Sequence, residues 1–97
     1  MQLNRHDLKV LAIAASYGSV SVGDFVAAPK RTARLSKTYR TRVASVNRRL
    51  RSLARASALQ DSGFGNFIIS EAGLLCLRSA GFHKTSSGMW KHPDFNI

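Results

Sequence analysis

Ten cationic side chains fall within residues 30–55: Lys30, Arg31, Arg34, Lys37, Arg40, Arg42, Arg48, Arg49, Arg51 and Arg55. No carboxylate stands among them. Elsewhere the charges cancel. Arg5 and Lys9 balance Asp7 and Asp24 before this segment, and Arg78, Lys84 and Lys91 balance Asp61, Glu71 and Asp94 after it. The whole formal charge of +10 is therefore held in about one quarter of the 97 residues. A one-signed zone between two neutral ones is a surface aimed at a polyanion, with nucleic acid the leading partner. Arginine suits base reading because its fork can bond guanine O6 and N7 together.

Spacing sorts these residues into roles. Val43, Val46, Leu50 and Leu53 recur at three- and four-residue intervals, which predicts one apolar face on a helix running from between Ser36 and Thr41 to near Ala56. Arg40, Arg48, Arg51 and Arg55 fall on the other side with Ala44, whereas Arg42 and Arg49 lie nearer the edge of the apolar stripe. A merely solvated face would mix signs, and this one does not. Asn47 can read adenine, but its position is closer to the boundary than to the centre of the basic face. Lys30, Arg31, Arg34 and Lys37 read as phosphate clamps on a basic loop. Thr38, Tyr39 and Thr41 sit at the helix start, where hydroxyls and backbone amides hold phosphates or a threonine caps the helix.

Other chemistries find no support. His6, Cys76, His83 and His92 match no metal-ligand spacing. The five carboxylates are scattered, and no nucleophile motif or phosphate-cradling glycine loop occurs, so neither an enzyme nor a cofactor is expected. No apolar run is long enough for a membrane span, no small-molecule ligand is evident, and a lone cysteine agrees with a reducing cytoplasm.

The remaining elements must position the basic helix. A first helix is expected from Asn4 as N-cap to Tyr17, stopped by Gly18, with Leu8, Leu11, Ala12 and Ala15 in one apolar row and Val10, Ile13 and Tyr17 in a second. Ser21 and Asp24 have the form of a capping box opening a brief helix that turns Phe25, Val26 and Ala28 inward and meets Pro29. Residues 58–60 and 66–69 read as strands about an Asp-Ser-Gly-Phe-Gly loop. Ser70 then caps a helix from Glu71 to about Ser79, with Leu74, Leu75 and Leu77 for packing and Gly81 as its stop. The stretch from Gly63 to Ile68 nearly matches an aromatic RNA-binding strand. Phe64 and Phe67 are three apart rather than two, however, so they should face opposite ways.

The element order, together with the run from Asn66 to Leu77 (NFIISEAGLLCL), resembles the winged helix-turn-helix domain of small bacterial and phage transcription regulators. The resemblance implies a mainly α fold with a small β-hairpin (α+β), a domain over residues 1–82, and a recognition helix in the major groove. It also places the hairpin tip as a wing against the DNA. Residues 83–97 are expected to be an irregular tail. Two features depart from the family: a long connection from Pro29 to about Thr38, and a wing tip without Lys or Arg.

The expectation is a cytoplasmic, sequence-specific double-stranded DNA-binding regulator acting as a repressor. Its contacts would be Lys30, Arg31, Arg34, Lys37, Thr38, Tyr39, Arg40, Arg42, Arg48, Arg51 and Arg55. A homodimer is expected, joined through the first helix and the tail with Trp90 and Phe95. The alternatives are an RNA-binding or non-specific architectural protein, and an interaction protein docking its basic face on an acidic partner.

Overall fold

A computed structural model describes residues 3–26 and 37–94. Helix α1, Arg5–Tyr17, starts at Asn4, whose side chain accepts the Asp7 N–H, while the Asp7 carboxylate accepts the Asn4 N–H. It ends at Gly18 with a left-handed φ of 87°, which lets the Gly18 N–H reach the Ala14 carbonyl. Val10, Leu11, Ala12 and Ala14 are buried, and α1 packs against both other helices and two of the strands that follow it in the chain. The second apolar row stops short of the helix end: Tyr17 is 69% exposed, because the chain turns away at Gly18.

Ser21 and Asp24 form the expected box, with the Asp24 carboxylate accepting the Ser21 N–H at 2.7 Å. What it opens is a single 3-10 turn, Val22–Asp24, rather than an α-helix. Val26 is buried and Phe25 half-buried, as expected for both; Ala28 and Pro29 lie outside the described residues.

Helix α2, Lys37–Arg55, closes with a left-handed Ser57 at φ 66°. The Ala58 N–H reaches back to the Leu53 carbonyl and the Ser57 N–H to that of Ala54, which is a Schellman ending. That turn feeds strand β1, Leu59–Gly63, which pairs antiparallel with β2, Asn66–Ile69. The register slips by one residue between Asp61 and Gly63, so β1 runs further than expected and only Phe64 and Gly65 remain as the turn. Val20 adds a bridge on the far side of β2 through both backbone bonds to Phe67.

Helix α3, Glu71–Ser79, is capped by Ser70, whose hydroxyl accepts the Gly73 N–H and donates to the Ser57 carbonyl. Gly73 has a packing reason. A Cβ there would overlap the Ala58 carbonyl oxygen and sit 2.8 Å from Ile69 Cγ1, and a backbone atom cannot swing aside. Gly73→Ala should therefore lower stability by about 1–3 kcal/mol despite the better helix propensity of alanine. A thermal melt showing an unchanged or raised midpoint would refute the close approach.

The final segment departs from expectation. Strands β3, His83–Lys84, and β4, Trp90–Lys91, form a second short hairpin. Its Trp90 is buried against α1, its backbone N–H donating to Ser16 Oγ at 2.8 Å. The Arg78 guanidinium lies over the Trp90 ring at 5.7 Å. Thus α1 and Trp90, expected as a subunit interface, are occupied within one chain; Phe95 lies outside the described residues. Sequence patterning missed this hairpin because its two-residue strands are too short to display alternation. No helix among the described residues is long and apolar enough to cross a membrane.

Candidate nucleic-acid interface

One side of α2 anchors and the other is offered to solvent. Leu50 and Leu53 are fully buried and Val46 packs partly against the same core, as the apolar stripe requires. With the stripe fixed, the helix cannot rotate without exposing those leucines, so its opposite side has a fixed direction. On that side Ala44, Asn47, Arg48, Arg51 and Arg55 line one shallow, open groove. The three arginines are exposed, as are Lys37, Thr38, Arg40 and Arg42. At 100° per residue, Lys37, Arg40, Asn47, Arg48, Arg51 and Arg55 span an arc of roughly 100°.

Two residues stand apart from this arc. Tyr39 is half-buried and falls toward the apolar side of the helix, and Arg42 lies on the flank beyond the stripe. Asn47, half-buried at the edge of the arc nearest the apolar stripe as expected, also lines the groove with the arginines. The signal for it was present in the sequence, three residues after Ala44 and four before Arg51 on the same helical row. Lys30, Arg31 and Arg34 lie outside the described residues. Thr41 returns its hydroxyl to the Lys37 carbonyl at 2.9 Å and so belongs to the helix itself.

The acids explain why this face keeps its charge. Asp7 and Asp24 bind backbone N–H groups in their own caps, and Asp61 accepts the Gly63 N–H at 2.8 Å. Three of the five carboxylates are thus spent locally. The groove itself is lined by no acid. Its cations repel one another, and a polyanion would relieve that repulsion.

The first hairpin presents a different surface. Phe64 and Gly65 both have positive φ, 55° and 77°, the pattern of a tight type I′ turn. Phe64 is fully exposed at the tip, whereas Phe67 is buried. The two rings face opposite ways and form no stacking platform, as the three-residue spacing requires. Ser62 donates to the Asn66 carbonyl and steadies the turn. Among the described residues, no three of His, Cys, Asp and Glu come together to hold a metal ion.

No protein-family model and no curated protein matches the sequence. Among solved structures, the chain is similar to the PhiH1 repressor-like protein from Haloarcula marismortui, with a TM-score of 0.60. The likeness covers 92% of this chain and 90% of that one, at 24% sequence identity. Together with the order of helices and hairpin, that settles the architecture. The fold is a winged helix. It is a small α+β domain in which three helices pack with the two-stranded antiparallel hairpin of β1 and β2. The similar protein comes from an archaeon, so the likeness does not point specifically to bacteria or phages.

Proposed function

We propose that this winged helix is a sequence-specific double-stranded DNA-binding transcriptional regulator, acting as a repressor in the cytoplasm. The observation that carries the reading is the acid-free groove of Asn47, Arg48, Arg51 and Arg55 on a helix whose opposite face is locked by Leu50 and Leu53. The repressor-like name of the similar protein agrees with it.

In this reading α2 lies in the major groove. Arg48, Arg51 and Arg55 bond guanine edges and Asn47 an adenine edge. Lys37, Thr38 and Arg40, nearer the start of α2, hold phosphates together with Lys30, Arg31 and Arg34. Arg42 contributes long-range attraction from its flank, and Tyr39 serves the packing of α2 rather than the DNA. The wing tip has no cation, so its contribution comes through backbone amides and the Phe64 ring. No metal or cofactor takes part in such recognition.

A single recognition helix covers too few base pairs to find an operator among many competing sites. The protein therefore binds as a homodimer on a two-fold site, with half-sites about one helical turn apart. With the apolar face of α1 and Trp90 buried, its contacts fall to side chains left exposed, Tyr17 at the end of α1 and Leu75 among them.

Selection of bound molecules from a pool of random duplexes tests the reading. One enriched motif with inverted half-sites is the expected result. Equal retention of all duplexes would favour an architectural protein, and preference for RNA an RNA-binding one. Failure to retain any nucleic acid would leave an acidic protein partner for the basic face.

A further inference from the structure

A cavity of about 190 Å³ opens on the flank of α2, between α1 and the 3-10 turn. Its floor is apolar, made by the buried Val10 and the half-buried Phe25 and Val46. Its rim is cationic, carrying Lys9 and Arg49 with His6 and Ser45 as further polar groups. Arg49 is half-buried, unlike Arg40, Arg42, Arg48, Arg51 and Arg55, which are exposed. It faces this cavity and not the groove described above.

No carboxylate lines the cavity, and the nearby acids are committed elsewhere. Asp7, beside His6 in sequence, holds the Asn4 N–H, and Asp24, beside Phe25, holds the Ser21 N–H. Residues 27–36, which join the turn to α2, contain no Asp or Glu and have no counter-charge to supply. Two cations over an apolar floor, one of them partly withdrawn from water, call for an anion with an apolar body. The volume equals that of about six waters, well below a drug-sized pocket.

We propose that this cavity binds a small organic carboxylate, its charge held by Lys9 and Arg49 and its body resting on Val10, Phe25 and Val46. A bare inorganic anion would satisfy the rim and leave the floor in water, so the site discriminates by the body as well as by the charge. The assignment is independent of whether α2 binds nucleic acid, and its test contains none.

The full chain is titrated with benzoate, with benzamide as its neutral analogue, and with inorganic phosphate, at constant ionic strength. Calorimetry and thermal melting follow each titration. Benzoate should bind saturably and raise the melting midpoint, with benzamide and phosphate at least tenfold weaker. Lys9→Gln and Arg49→Gln, checked for native circular dichroism, should each lose tenfold or more in benzoate affinity, while Arg51→Gln on the opposite face keeps it. Absence of benzoate binding, equal binding of benzamide or phosphate, or full affinity in both cavity variants would overturn the proposal.

Discussion

Alanine at Arg48, Arg51 and Arg55 together should abolish specific duplex binding and leave the fold intact. Each well-placed arginine–guanine pair is worth about 1–3 kcal/mol of discrimination. Losing three removes at least about 3 kcal/mol, a fall in affinity of more than about 100-fold. All three side chains are exposed and project from the side of α2 opposite Leu50 and Leu53, so truncating them opens no cavity. Circular dichroism and melting should match the parent protein. A large loss of helix would show that these arginines are structural and would remove them from the binding surface.

Leu50→Ala is the complementary experiment. Leu50 is completely buried in the cluster that joins α2 to α1, β1 and Trp90. Its truncation should cost about 2–5 kcal/mol, a large share of the stability of a small domain. The melting midpoint should fall by at least about 8 °C, at roughly 4–8 °C per kcal/mol for a chain of this size. Binding would weaken only through the unfolded fraction and should recover on cooling. A midpoint within 2–3 °C of the parent, roughly half a kcal/mol or less, would mean that the anchor of α2 lies elsewhere.

The two variants separate what the sequence revealed from what it concealed. The faces of α2 were legible because 3.6-residue periodicity, from Val43 to Leu53, and the one-signed charge run coincide over about three turns. Caps were legible for a similar reason: Asn4, Ser21–Asp24 and Ser70 each satisfy local backbone groups within a few residues. The resemblance drawn from element order and the Asn66–Leu77 stretch pointed to the fold found here, and Gly73 proves to answer a contact with Ala58 that lies fifteen residues away.

What failed to show was non-local. The bridge of Val20, just before the 3-10 turn, to Phe67 joins residues 47 positions apart. The bulge before Gly63 depends on cross-strand register. The burial of Trp90 depends on a hydrogen bond to Ser16, 74 residues earlier. No window of sequence contains both partners of such contacts. The placement of Asn47 in the groove was within reach, since the helical row that carries Arg51 carries it too.

The exposed cationic face of α2, with its neighbouring cations, is expected to bind duplex DNA. The most direct test is the affinity for a labelled duplex across a series of salt concentrations. Each phosphate neutralised releases counterions and contributes about −0.9 to the slope of log affinity against log salt. Six phosphate contacts predict a slope near −5, so affinity should fall about a thousandfold between roughly 50 mM and 200 mM salt. An affinity unchanged over that range would show that these cations do not bind phosphates.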